Sequence, residues 1–324
     1  MGRCLLQLKK TMNFKRNKLG ALEISFGWLF AILAGIVIIF IAIYFSSKLI
    51  NVQQESISAE TGKEIGSLLS PLETGFESSQ ITSITIPTET RINNICDTFG
   101  TFGEQSIQLD QKSFGKWVET DTKVSFYNKY IFSEKEITGK KFYIFSKPLS
   151  FPFKVADLMY IIPSDDKYCF VNAPSEIKTE ISELNQSNLI LEDCVEEDIQ
   201  VCFGATNCDI NVDMNSNYVK KNNTKTYFVK DSSELMYAAI FSDKTIYECQ
   251  VKRLMLRLTK LSLLYQEKES LTREKGCDEE NIIGSLEMLS ETAKDLDESG
   301  KLEIAKIEAD NLEEENDARG CLLW

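Results

Sequence analysis

Histidine is absent from all 324 residues. Without an imidazole the chain cannot run Ser-His-Asp or Cys-His catalysis, build a histidine-ligated zinc site, or switch charge near neutral pH through histidine. A glycine-rich phosphate loop, a metal-spaced cysteine set and a nucleophile beside a recognisable base are missing too. Serines and lysines are plentiful, so a Ser-Lys pair stays open, but catalytic and metal residues are expected to be none. Positive charge is scarce: 36 Lys and Arg stand against 49 Asp and Glu, a net charge of −13.

One stretch lacks charge altogether. Ile24 to Phe45, ISFGWLFAILAGIVIIFIAIYF, is 22 residues of apolar and small side chains. As a helix it would extend roughly 33 Å, enough for a bilayer's hydrocarbon core. The tail of the run, Ile43 to Ser47, is a poor signal-peptidase site, so an uncleaved anchor is expected. Arg3, Lys9, Lys10, Lys15, Arg16 and Lys18 precede it with no acid among them, and only Lys48 follows closely. Basic residues stay in the cytosol, which predicts a cytoplasmic N-terminus and an extracellular remainder. That remainder has 30 basic and 48 acidic residues, a net of −18, which repels nucleic acid and anionic headgroups. Met12 is an alternative start, since MNFKRNK is already a complete basic leader.

Of nine cysteines only Cys4 falls inside. The other eight (Cys96, Cys169, Cys194, Cys202, Cys208, Cys249, Cys277 and Cys321) are an even number in an oxidising space. Four disulfides are expected, with about 105 connectivities open; a mixture of pairs and buried free thiols is the alternative.

Periodicity divides the chain. Apolar residues between 46 and 70 keep near one helical face until Pro71, with Gly62 and Gly66 marking a place where the helix could break. Short β-branched and aromatic runs punctuated by turns fill residues 80 to about 230, with one helix at PSEIKTEISELN. From about 233 the period turns helical, with seams at Val251-Leu254-Leu258-Leu261-Tyr265, Ile282-Leu286-Leu289-Ala293-Leu296 and Leu302-Ala305-Ala309-Leu312. The expected class is α+β. It comprises a cytoplasmic basic leader (1–20), a transmembrane helix (21–45), a stalk helix and linker (46–78), an antiparallel β-rich exterior domain (79–232) and a C-terminal antiparallel helical bundle (233–324). If the last two helices are antiparallel, their outer ends bring Cys277 to Cys321, and Cys202 and Cys208 flank a plausible hairpin loop, FGATN.

Gly27, Ala31 and Gly35 make a small-residue stripe suited to close helix packing. Asn185-Gln-Ser and Asn222-Asn-Thr are glycosylation acceptors by pattern. CDINVDMNSN imitates the start of a calcium loop but has Met214 and Lys220 where glycine and glutamate are needed, and reads as a strand. The terminal CLLW resembles a prenylation box, but Trp324 does not suit it and this end belongs outside.

The basic leader, the KLG ending at Gly20, the acid Glu23 and the apolar helix running into an amphipathic half resemble the N-terminus of type IV pilin-like proteins. That resemblance covers about residues 15 to 70. It implies cleavage after Gly20 and pairing of Glu23 with a neighbouring subunit's new amine. Glu23 would be third after the cut, where the bacterial pattern has its acid fifth. A carboxylate in a first helical turn also has a simpler cause, because the macrodipole favours it by roughly 0.3–1 kcal/mol. The GALEISFGWLF start with a cysteine-bearing exterior also resembles uncharacterised archaeal single-pass membrane proteins. The expected role is a membrane-anchored cell-surface structural or binding protein acting through protein–protein contacts. The expected partners are the bilayer and other membrane or surface proteins, with self-association among the options and no cofactor. A pilin-like filament or secretion subunit is the second reading, and an anchored hydrolase with an unidentified site the third.

Overall fold

The structure, a computed structural model, describes residues 26–69, 80–113, 115–119, 123–204, 208–277 and 281–324. Two compact units divide at Gln53 and Gln54.

α1 (Phe26–Leu69) is a single helix of 44 residues whose part up to Gln53 belongs to the first unit. Its segment Phe26–Leu49 has a mean hydropathy of 2.8 and no buried residue. Phe26, Trp28 and Phe40 are each at least 69% exposed, and exposed apolar surface of this extent is stable against lipid and not against water. The helix is long and apolar enough to cross a membrane. Near its far end the Ser47 hydroxyl donates to the Ile43 carbonyl at 2.8 Å, so even this polar group is satisfied within the helix. No break occurs at Gly62 or Gly66; the helix runs on to Leu69.

The second unit holds two sheets. Sheet A contains β1 (Gln80–Asp97), β2 (Glu104–Ser113), β3 (Lys116–Val118), β4 (Lys123–Phe126), β5 (Tyr130–Phe132), β6 (Glu136–Ser150) and β7 (Lys154–Pro163). Their order is β3-β2-β1-β6-β7-β5, with β4 also on β2. Pro87 has no N–H to give the ladder, and the β1–β6 register slips between Thr85 and Thr90. The ladder is interrupted there, and Ile84, Ile92, Leu109, Phe142, Ile144 and Ile161 belong to a core made of sheet residues alone.

Sheet B contains β8 (Tyr168–Val171), β9 (Leu189–Ile190), β10 (Ile199–Phe203), β11 (Ile210–Asp213), β12 (Tyr218–Lys221) and β13 (Thr224–Tyr227), ordered β13-β12-β11-β10-β8-β9. Between β8 and β9 runs α2 (Ser175–Leu184), which buries the expected Ile177, Ile181 and Leu184. A helical crossover returns the chain in its original direction, so β9, β8, β10 and β11 are parallel. Both sheets are therefore mixed; the purely antiparallel pairing expected from strand spacing does not hold for β5–β7 or for this group.

α3 (Ser233–Phe241) is buried at seven successive residues, Leu235 to Phe241. Then come α4 (Lys244–Glu274), α5 (Ile283–Asp295), a 3-10 turn (Ser299–Lys301) and α6 (Leu302–Asp317). Asp243 caps α4 by accepting from the Ile246 amide at 2.9 Å. Lys252 reaches the Leu296 carbonyl and Ser290 pairs with Thr259, so α5 runs antiparallel to α4. Ser299 lies beside Glu248 and Arg319 beside Glu269, so α6 returns in the direction of α4. All three predicted seams face inward, with Leu261 and Tyr265 only partly covered. One core runs from Tyr130 through both sheets' inner faces to Leu323.

Candidate interaction surface

Gly20 and Glu23 lie outside the described residues, as does Cys4. Side chains added at Gly27 or Gly35 would meet nothing within 4 Å, and Ala31 is exposed, so the small-residue stripe is open. The eight remaining cysteines stand in four pairs. Cα separations are 6.1 Å for Cys96–Cys249, 5.8 Å for Cys169–Cys194, 6.0 Å for Cys202–Cys208 and 6.3 Å for Cys277–Cys321. The last two are the pairs that spacing suggested, although β10 and β11 lie parallel, so Cys202 and Cys208 do not flank a hairpin; the first two join residues 153 and 25 positions apart, which no local pattern could pair.

Cys96–Cys249 fastens α4 to the end of β1. One turn further along α4 sits Arg253, fully buried. Its five guanidinium hydrogens are all used. Nε donates to Phe102 O at 3.2 Å, Nη1 to Lys129 O and Gln250 Oε1 at 2.8 Å each, and Nη2 to Phe126 O at 3.4 Å and Tyr127 O at 3.0 Å. The cation also lies 4.8 Å from the Tyr130 ring centre. Burial draws its pKa down to about 10, with the Tyr130 and Glu104 charges opposing. Gln250 bonds Gln105 and donates to Ile131 O at 3.1 Å, and Gln105 bonds Asn94, so the buried polar groups form a connected network.

The consequence lies at the surface. Four of the five acceptors are main-chain carbonyls, one at Phe126 that ends β4 and three in the loops 98–103 and 127–129, and those loops hold Phe99, 88% exposed, Tyr127, 62% exposed, and Phe102, 37% exposed. Gly103, at φ +62°, lets the first loop pass close to α4; a side-chain carbon there would come within 2.4 Å of the Asp97 carbonyl and 2.8 Å of Arg253. Loops that could wander are thus held rigid while presenting bare aromatic rings, the arrangement that lowers the ordering cost of docking.

Other charged groups tie elements together. Lys147 on β6 donates to Glu180 of α2 at 2.8 Å and to Ser233 of α3 at 2.5 Å, and Ser233 lies 3.3 Å from the same carboxylate. This is the Ser-Lys contact left open from composition. As arranged, the Lys147 Nζ donates to both oxygens and ties β6 to α2 and α3. Lys221 donates to Glu134 at 2.9 Å and to Ser242 O at 2.8 Å, and burial lowers its pKa. Glu234 and Asp166 are pushed up by burial. Asp213 accepts from the Asn215 and Ser216 amides at 3.0 and 2.9 Å, which holds its carboxyl below the usual range. Among the described residues, no group of three or more Cys, Asp or Glu is placed to hold a metal ion. Asn185 ends α2 in the left-handed region at φ 46°, and Asn222 opens the β12–β13 turn at φ 45°; both are exposed.

Sequence reasoning missed Arg253, Gln250, Gln105 and Asn94. The available signal was that Arg253 falls between the seam residues Val251 and Leu254, where a helix packed on two sides cannot leave a long side chain in water. Searches of protein-family models, curated proteins and solved structures find no match to this chain.

Proposed function

We propose that this is a single-pass membrane protein with a cytosolic N-terminus, whose exported part binds another surface protein through the Phe99–Tyr127 loops. The observation that carries the docking reading is the Arg253 clamp, a buried cation fully engaged in fixing two loops that display exposed aromatic rings. The exported reading is supported by the apolar segment Phe26–Leu49 and by four cysteine pairs in the remainder. Crosslinking on intact cells, comparing the wild type with F99A/Y127A, tests the docking. A partner band lost in the variant at unchanged expression is expected, and an unaltered pattern sinks the aromatic site. Protease shaving of intact cells tests the topology; a protected Trp324 end would overturn it.

A second reading, a pilin-like subunit processed after Gly20, is favoured by the continuity of α1 from Phe26 to Leu69, apolar in its first half. Mass spectrometry of the mature N-terminus separates the two. A chain beginning at Ala21 supports processing, and an intact leader supports the anchor.

A further inference from the structure

The β12–β13 hairpin carries an acceptor sequence that docking through Phe99 does not use. Asn222 and Asn223 are its whole turn, at φ 45° and 62°, the left-handed geometry that a two-residue hairpin needs and that asparagine tolerates. Asn222, Asn223 and Thr224 are all exposed, and the Thr224 hydroxyl donates back to Lys221 O at 2.9 Å. Beside the tip is a hollow of about 550 Å³ on the outer face of sheet B. Apart from Cys208 every residue lining it is polar, among them Glu196, Gln200, Asp209, Asn211 and Lys220. Asn211 and Lys220 are direct cross-strand partners, so carboxamide and ammonium stand in one row. Such a wall offers donors and acceptors to a chain of hydroxyl groups, with little apolar surface to desolvate.

The other acceptor sequence is built differently. Asn185 is tied as the C-cap of α2, its N–H on Ser182 O at 3.2 Å, and Gln186 is only 5% exposed. The Ser187 hydroxyl lies 2.9 Å from that of Tyr143. Its neighbouring hollow mixes Ile181, Leu189 and Leu191 with Ser182 and Glu192 in its wall, a less uniformly polar bed for a polyol.

We propose that Asn222 carries an N-linked oligosaccharide whose first sugars lie in the polar hollow, and that Asn185 carries none. The donor class is an oligosaccharide joined through its anomeric carbon to a lipid phosphate or pyrophosphate. The Asn222 Nδ2 forms a bond to that carbon, the carbon–oxygen bond to phosphate breaks, the lipid phosphate leaves with the electron pair, and the amide proton passes to the transferase. No oxidant or reductant is needed. The modification rests on the exported topology proposed above, because the donor is presented on the exterior side.

The test is peptide mapping, without reduction, of the full-length protein purified from its native source. The expected result is a glycopeptide at Asn222 and a bare Asn185. The modification should vanish in T224A and N222Q and persist in T224S and N185Q; the threonine pair leaves both turn asparagines in place, and T224S keeps the hydroxyl that donates to Lys221 O, so loss in T224A with retention in T224S is informative. A stoichiometric unmodified Asn222 peptide, or sugar on Asn185, overturns the proposal. The same map reads the cysteines. Crosslinked cysteines beside a bare Asn222 overturn the glycan alone, while free thiols at all eight positions overturn the exported reading together with it.

Discussion

Arg253 shows how much one side chain can decide. Its donors replace water at four backbone carbonyls, and a lysine there would bring three hydrogens on a point charge in place of five on a planar fork. Arg253→Lys should lower the unfolding free energy by on the order of 2 kcal/mol, read as a lower urea midpoint at unchanged slope; an unmoved midpoint would show that the loops hold without the clamp. Glu234 gives a pH signature. Its folded pKa is raised, first by burial and then by the Glu180 charge. Its favourable contribution is therefore complete below the ordinary carboxyl value of 4.5 and is lost as pH rises through the raised value. Glu234→Gln should be more stable than the wild type at pH 7, with the difference shrinking toward zero near pH 4. A difference independent of pH would exclude ionisation of Glu234 as its cause.

Elements were readable where one period governed them. The α2, α5 and α6 seams bury the residues their spacing picked out, because a helix with a single covered face leaves a single stripe. α4 was only half legible: it packs on sheet A and on α5, so polar residues such as Gln250, Arg253 and Glu269 are buried along with its leucines. Strands were legible as strands but not in direction, since α2 makes a parallel crossover that alternation cannot reveal. Cysteine pairs link these elements. In the loop-closure picture, the Cys96–Cys249 pair, 153 residues apart, should contribute about 5 kcal/mol, Cys277–Cys321 about 4 and Cys202–Cys208, six apart, about 2. Paired serine variants should follow that order in thermal midpoint. If the Cys202–Cys208 variant proved the most damaged, chain entropy would not be what the pairs supply.

At the scale of the molecule, the compact unit from Gln54 to Trp324 contains every described cysteine pair and the whole of both cores. It should fold alone when produced in an oxidising compartment without the apolar segment, giving a cooperative unfolding transition and no membrane partition. Aggregation of this fragment with native-like pairs would show that it does not fold alone. The strand-rich stretch and the C-terminal helices share one core from Tyr130 to Leu323, so they should melt together.

Composition and period alone determined that this chain has an apolar helix of membrane-crossing length, strands followed by helices, and no imidazole chemistry, because those properties reside in consecutive residues. Sequence also reached two of the four cysteine pairs, where a short loop or a helix hairpin sets the distance. Tertiary structure alone decided the rest: the pairs across 153 and 25 residues, the register slip between β1 and β6, and the burial of Arg253 beneath two loops. Each of these depends on which distant segments share a neighbourhood, and a one-dimensional pattern does not carry that information.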